Sequence, residues 1–187
     1  MSLILGLDPG LETTGYGLIQ MKADGPAVVE AGVFRSAKVG RGSHDMAERL
    51  LVLANGLEEV LEQWKPTILS VEQLYASAAY PNTAVLMAHA RGCYLLAAAR
   101  RGIPVLSYAA TQVKKAITGH GRASKEQMQF SIMRELNLAS LPEPHDVADA
   151  LAVALCHAYT TQAIRRTTAN STFTGVNMRK LLENDSL

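Results

Sequence analysis

The stretch Leu3-Ile4-Leu5-Gly6-Leu7-Asp8 is an apolar run of strand length that ends in a carboxylate, and Pro9-Gly10 follows it as a turn. A short apolar run bounded by turn residues predicts a buried strand. A second run of this kind, Thr67-Ile68-Leu69-Ser70-Val71, ends in Glu72. Because ligands gather at the carboxyl ends of parallel strands, the two runs predict both a sheet and a site at its edge.

Two further strands are predicted between these runs, over Gly15–Met21 and Ala27–Arg35. The polar turn at 22–26 joins them, and links this short favour an antiparallel meander with the first strand. A helix follows, with apolar residues spaced by three and four from Met46 to Trp64. A strand–helix–strand connection of this length predicts that the strand at 67–72 is parallel to a strand of the same sheet.

The second half of the chain is predicted to be mainly helical. A short strand is expected at Pro104–Tyr108, and Ser124 with Gln127 has the spacing of a capping box. Helices are expected at 83–101, 110–118, 124–138 and 145–164. The sequence therefore predicts an α/β fold, in which three antiparallel strands are followed by parallel strands and helices cover both faces of the mixed sheet.

Composition limits the chain to one folded domain. It has 187 residues, of which 48% are hydrophobic, enough for one core but short for two. We expect a domain at 1–164 and a flexible C-terminal tail at 165–187, where periodicity is weak. With neither a signal-peptide pattern nor a membrane-length apolar span, and two cysteines without metal spacing, we expect a cytoplasmic protein.

Charge is balanced overall but not along the chain. A net charge of +1 excludes a protein that coats polyanions with its whole surface. The segment 100–135 nevertheless has a local net charge of +5, which predicts a basic patch. Such a patch beside a metal site would attract a phosphodiester backbone.

Four carboxylates fall where a metal-dependent phosphodiesterase needs them. One such acid alone is usually an ordinary surface residue, but two at strand ends and two at the start of one helix suit hard divalent cations. A pair of these ions clamps the attacking and leaving oxygens of a phosphoryl displacement. The neighbouring His145 is either a partly exposed helix-start residue, the commoner case, or a partner of the metal ligands or a local base. We call the set the acidic tetrad: Asp8, Glu72, Asp146 and Asp149.

An ordered set of motifs over about residues 3–160 resembles the RuvC family of Holliday junction resolvases. The motifs are Leu5-Gly6-Leu7-Asp8-Pro9-Gly10, Thr14-Gly15-Tyr16-Gly17, Val71-Glu72-Gln73, Gln112-Val113-Lys114, Gly119-His120-Gly121 and Asp146-Val147-Ala148-Asp149-Ala150-Leu151. The resemblance implies a ribonuclease H-like fold and paired, symmetric nicking of four-way DNA junctions in recombination and repair. It also implies catalysis and metal binding by the acidic tetrad with Mg²⁺, two ions per site, and with Mn²⁺ as a substitute. Family members sometimes have histidine where this chain has Asp146.

The resemblance also indicates residues that contact DNA. Lys114 and Lys125 match basic positions near the scissile phosphates, and Lys115 and Arg122 are their neighbours in sequence. Tyr75 matches an aromatic position and could stack on an unpaired base. Solvated helix faces are the ordinary alternative for the four basic residues, and packing against the sheet edge is the alternative for the tyrosine.

Partners are implied by the reaction and by the family. Two symmetric cuts require two active sites, and a two-fold homodimer supplies them. The helix at 83–101 is rich in alanine and glycine, which favours close contact with a second copy or with its own sheet. The resemblance adds four-way junction DNA and the RuvA–RuvB branch-migration complex as partners.

Three other readings share some of these features. The Asp8 turn and the following hairpin also resemble the phosphate-binding hairpin of actin-like ATPases, but the chain is too short for their duplicated domain. Another ribonuclease H-like nuclease, acting on hybrids or flaps, would use the same tetrad. A non-catalytic module that binds branched DNA would gain nothing from acids facing phosphates.

Overall fold

A computed structural model of the protein describes residues 2–36, 45–74 and 81–183. Its elements, in chain order, are β1 (Leu3–Asp8), β2 (Thr13–Lys22), β3 (Gly25–Arg35), α1 (Asp45–Trp64), β4 (Ile68–Glu72), α2 (Pro81–Arg100), β5 (Val105–Tyr108), α3 (Ala110–Thr118), α4 (Lys125–Glu135) and α5 (His145–Glu183).

The five strands form one mixed sheet in the order β3-β2-β1-β4-β5. Strands β1, β2 and β3 make the antiparallel meander. Strand β4 is parallel to β1, and β5 is parallel to β4. The predicted α/β architecture is confirmed, with the carboxyl ends of β1, β4 and β5 at one edge.

Helices cover both faces of the sheet because side chains alternate along each strand. Leu5 and Leu7 of β1 pack with α1 and α2, whereas Ile4 packs with α3, α4 and α5. Strand β4 repeats this pattern, with Leu69 toward α1 and α2. By the same alternation, the carboxylates that end β1 and β4 belong to the face that α5 covers.

Glycines on β1 and β2 let α5 lie directly on the sheet. A Cβ atom on Gly6 would overlap the carbonyl oxygen of Ala150, and one on Gly15 would overlap that of Asp146. A Cβ atom on Gly17 would lie 2.6 Å from a methyl carbon of Leu151. Strand glycines commonly mark such close approaches of backbone. We call the surface formed by Gly6, Gly15 and Gly17 the glycine groove.

Helix boundaries agree with the sequence except at the ends of α4 and α5. Helix α4 ends at Glu135 and not at the predicted 138, and Asn137 just beyond it has a positive φ of 51°. The capping box of Ser124 and Gln127 is present at the start of α4. Helix α5 extends to Glu183, well past the predicted end at Ile164, since no proline interrupts residues 145–183. The division at 164 and the flexibility of 165–187 stay predictions.

Both cysteines are free thiols, Cys156 buried and Cys93 half-buried. No helix in the described part of the chain is both long enough and apolar enough to cross a bilayer.

Candidate active site

Two members of the acidic tetrad come from adjacent parallel strands. Asp8 ends β1 and Glu72 ends β4, and the residues just before them, Leu7 and Val71, are paired across the two strands. The sheet register therefore brings the two carboxylates side by side, as predicted.

Helix α5 brings the other two acids to the same place. Gly15 is the partner of Asp8 in the β1–β2 ladder, and the backbone of Asp146 lies directly on Gly15. Asp149 follows one helical turn later on the same side of α5. Buried side chains on α5, including Val147 and Leu151, hold this end of the helix against the sheet.

Electrostatic coupling shows that the four acids share one environment. Burial, together with the negative charges of Asp149, Glu72 and Asp146, raises the pKa of Asp8 from 3.8 to about 7. Burial also raises the pKa of Glu72, with a further contribution from Asp149. The pKa of Asp149 is raised by burial, and Asp146 contributes in the same direction. Ionised together, these carboxylates would repel one another in a partly desolvated site.

Hard divalent cations are bound by oxygen ligands, and the four side chains of the tetrad offer carboxylate oxygens. A cation would also remove the mutual repulsion that raises the pKa of Asp8. Among the residues that the structure describes, however, no three His, Cys, Asp or Glu side chains already form a group that could hold one ion.

Two lysines lie close enough to the tetrad to affect its charge. Lys125 opposes the rise in pKa of Asp8 and of Asp149. Lys114, which is half-buried on α3, opposes the rise in pKa of Glu72 and of Asp149. These are the two lysines that the family resemblance implied to lie near the scissile phosphates.

The other predicted DNA contacts lie outside this cluster or outside the described structure. Lys115 and Arg122 are exposed, and neither is among the groups that shift the pKa values of the tetrad. Arg122 instead lines a groove with the exposed ring of Phe130. Tyr75 lies in 75–80, outside the described residues.

The charge of segment 100–135 is not one continuous patch. Arg101 precedes β5 and forms ion pairs with Glu58 and Glu62 of α1. Strand β5 is parallel to β1 and β4. Arg101 therefore lies near the amino ends of these strands, whereas Asp8 and Glu72 lie at their carboxyl ends. The sequence alone could not separate it from the lysines of α3 and α4.

A cavity of about 690 Å³ opens beside two members of the tetrad. Asp8 and Glu72 contribute to its wall. Most of the other lining residues are apolar or small, among them Pro9, Leu74, Ala84, Met87 and Ala110. Asp8 and Glu72 therefore face a cavity and are not fully enclosed by packed side chains.

A buried hydrogen-bond network supports the turn after Asp8, which the sequence reading missed. The hydroxyl of Tyr94 on α2 donates to Thr14 Oγ1 at 2.7 Å, and Thr14 Oγ1 donates to the carbonyl oxygen of Gly10 at 2.7 Å. The amide nitrogen of Gly10 donates back to Thr14 Oγ1 at 3.1 Å. A small polar residue, Thr14, beside glycine in an otherwise apolar strand was the available signal.

A second unpredicted contact joins α4 to the start of α5. Gln129, which is 8% exposed, donates from Nε2 to Nδ1 of His145 at 2.7 Å. His145 itself is exposed beside Asp146. Its Nδ1 is held by the hydrogen bond to Gln129, and the rest of the ring is accessible to solvent. Nothing in the periodicity of α4 distinguished Gln129 from an ordinary surface glutamine.

Comparison with known proteins places this geometry in a family. The family model described as Crossover junction endodeoxyribonuclease RuvC matches residues 4–157. A protein of that description from Rhodopirellula baltica is 48% identical over 84% of this chain and 86% of its own length.

Solved structures are similar as well. The Thermus thermophilus RuvC structure in complex with a Holliday junction substrate is 30% identical, with a TM-score of 0.76, and the match covers 87% of this chain and 96% of that one. The yeast mitochondrial Holliday junction resolvase Ydc2 has a TM-score of 0.65 at 16% identity over 91% of this chain and 83% of its own, which indicates a shared fold alone.

Proposed function

The chain belongs to the RuvC family of crossover junction endodeoxyribonucleases, and we propose that its acidic tetrad is the metal-dependent centre that cuts four-way DNA junctions. By that membership it is a Holliday junction resolvase, an endonuclease of DNA recombination and repair. The observation that carries the active-site assignment is geometric: Asp8 and Glu72 end adjacent parallel strands, and the backbone of Asp146 lies on Gly15, the ladder partner of Asp8. Its physical basis is that these residues are remote in sequence but close in space.

We propose Mg²⁺ as the ion, two per site, with Mn²⁺ as a substitute. Asp8 and Glu72 would be the rigid ligands because they end sheet strands, and the acids of α5 would complete the set. When bound, such ions activate water and stabilise the departing oxygen of a phosphodiester. The residues of the chain hold the carboxylates in place, exclude part of the solvent and leave an open side for the strand.

Lys114 and Lys125 are proposed to bind the DNA backbone beside the cut. Both are close enough to the tetrad to influence its protonation, so a phosphate at the tetrad would also lie near them. Lys115, Arg122 and Tyr75 stay proposed contacts, which would lie farther along the junction.

A homodimer is proposed because one tetrad makes one nick. Helix α2 presents exposed apolar side chains on its outer face, with Val85 55%, Leu86 38% and Leu96 53% exposed. Its inner face packs on the sheet through Ala90, Tyr94 and Ala98. An apolar outer face on a surface helix is a suitable place for a second copy of the chain.

Two further assignments follow from the family. We propose the RuvA–RuvB branch-migration complex as the partner that delivers junctions, and the cytoplasm as the location where the protein meets its DNA. Neither assignment depends on a particular contact in the described structure.

The decisive test is a nicking assay on a synthetic mobile four-way junction, with and without Mg²⁺. We expect paired nicks of symmetric position on the junction and little cutting of plain duplex or RNA–DNA hybrid. Strong cutting of the hybrid with the junction left intact would instead support a different ribonuclease H-like nuclease. Junction binding without cutting, under either Mg²⁺ or Mn²⁺, would support a non-catalytic binding module.

A further inference from the structure

Gln129 and His145 form a polar contact between two helices at the acidic tetrad. Gln129 is 8% exposed in the middle of α4, a position where an amide is costly unless it is hydrogen-bonded. Its Nε2 lies 2.7 Å from Nδ1 of His145, the first residue of α5. The contact thus connects α4 to the helix that carries Asp146 and Asp149.

The chemistry of the contact fixes the histidine tautomer. An amide nitrogen can only donate a hydrogen bond, so Nδ1 of His145 must accept it. The neutral ring then carries its proton on Nε2, which becomes a donor on the side of the ring away from Gln129. Because Gln129 is buried, its amide also restricts the rotation of the His145 ring.

The same contact sets the position of a lysine relative to the tetrad. Lys125 precedes Gln129 by four residues on α4, so the two share one face of that helix. Lys125 opposes the rise in the pKa of Asp8 and of Asp149, and His145 directly precedes Asp146 on α5. Donors from α4 and from the start of α5 therefore surround the acids on one side.

We propose that Gln129 is a positioning residue that orients His145 to donate a hydrogen bond from Nε2 to a phosphate oxygen of the cleaved DNA strand. This inference rests on the proposed function, since it requires the strand to pass over the acidic tetrad. A hydrogen-bond donor at this place would hold the phosphate oxygen beside the acids. The exposure of His145 leaves its ring accessible to the strand.

A double-mutant cycle tests the proposal, because residues that act through one contact have non-additive effects. The rate to measure is single-turnover nicking of a four-way junction at saturating protein with Mg²⁺. We expect His145→Ala and Gln129→Met each to lower this rate about tenfold. The double variant should be no slower than His145→Ala alone, and the junction Kd of all three should change less than threefold.

Tyr159→Phe is the matched control. Tyr159 on α5 donates to Glu135 on α4, so it also joins these two helices by one hydrogen bond, but three turns farther along α5 from the acids. We expect it to nick at the wild-type rate. Melting temperatures of all variants report folding, and Gln129→Leu replaces Gln129→Met if the latter is unfolded.

The outcomes separate this inference from the proposed function. Wild-type rates for His145→Ala, or losses that multiply in the double variant, would overturn the positioning role while wild-type protein still nicks the junction. An equal loss in Tyr159→Phe would overturn it too, since general helix contact would then explain the effect. Failure of the wild-type protein to nick any junction would instead count against the proposed function.

Discussion

Asp8 combines a structural position fixed by the sheet with an unusual electrostatic environment. It ends a buried strand, and burial together with three other acids raises its pKa to about 7. At neutral pH without metal it is thus divided between its protonated and ionised forms. A divalent cation would favour the ionised form, because opposite charge lowers the pKa of a carboxyl group.

Replacing Asp8 by asparagine should abolish nicking and spare junction binding. Asparagine preserves the shape of the side chain but removes its charge, so the site loses a metal ligand. We expect a loss of roughly 10³-fold or more, as when a group that stabilises transition-state charge is removed. Gel-shift affinity without metal should be unchanged or slightly improved, and near wild-type nicking would contradict the metal assignment.

The raised pKa of Asp8 also predicts how stability depends on pH in the metal-free protein. The folded state binds the proton more tightly than the unfolded state, whose Asp8 has the ordinary pKa of 3.8. The contribution to stability is therefore fully present below about pH 3.8 and is lost as the pH rises through about 7.

We expect Asp8→Asn to melt above the wild type at pH 8 in a chelator, and the difference to shrink toward pH 4. Each kcal/mol would appear as a shift of about 2–4 °C in a chain of this size. Asp24→Asn, in the exposed β2–β3 turn, controls for the loss of one negative charge elsewhere. Equal stability of the wild type and Asp8→Asn across this range would show that Asp8 is not in a crowded acidic site.

Lys114 offers a separate test of contact with DNA. Lys114→Ala should weaken junction binding and reduce the slope of log affinity against log salt by about 1. Lys22→Ala is the control, because Lys22 ends β2 at the sheet edge opposite the acids. A salt titration in which both variants behave alike would exclude a phosphate contact at Lys114.

Residue identities in the site were predictable to different degrees. The positions of Asp8 and Glu72 were predictable because each directly follows an apolar run, and the two runs form adjacent parallel strands. Gln129 was not, because its importance depends on the partner that α4 meets across space. Arg101 was counted in the basic segment 100–135, but it forms ion pairs with α1. These pairs could not be predicted from the charge of the segment, because their acids are about 40 residues away in sequence.

At the level of elements, the close packing of α5 on the glycine groove positions half of the tetrad. Gly15 faces the backbone of Asp146, whereas Gly17 faces the flexible end of Leu151. A methyl group at Gly15 must therefore displace helix backbone, while one at Gly17 displaces mainly a side chain. Alternate glycines in β1 and β2 are a readable signal, but only once the partner helix is known.

This difference predicts a graded response to alanine. Gly15→Ala should destabilise the fold by about 1–3 kcal/mol or more, the range of overpacked cores, and should impair nicking because the α5 acids move away from Asp8. Gly17→Ala should have a smaller effect on both properties. Chemical denaturation and nicking rates measured in parallel check the order, and an equal loss would contradict the backbone contact.

The ends of strands and helices were predicted accurately where turn or cap residues mark them in the sequence. The strands at 3–8 and 67–72 and the capping box at Ser124 were found because turn and cap residues restrict the backbone locally. The C-terminal extent of α5 was not found, since the residues after Ile164 have weak periodicity yet contain no strong helix breaker.

At the level of the whole molecule, the proposed dimer interface on the outer face of α2 would determine whether two tetrads act together. Leu96→Arg would place a charge in the proposed apolar interface and should weaken dimerisation about 100-fold, equivalent to about 2.8 kcal/mol. Analytical ultracentrifugation measures the dimer, and a circular cruciform plasmid distinguishes single from paired nicks. We expect single nicks to accumulate.

Leu51→Arg is the control for this change. Leu51 is 60% exposed on α1, so the substitution adds the same charge to an exposed leucine outside α2. The α2 interface is wrong if Leu96→Arg remains a dimer, or if Leu51→Arg dissociates it equally.

The glycine groove has a consequence for the life of the chain before it is fully folded. The proposed metal site requires α5 to pack directly on β1 and β2, and this same contact closes much of the core. A molecule in which α5 has not yet docked would therefore lack the complete set of four acids. Completion of the core and assembly of the proposed site are thus expected to be one event.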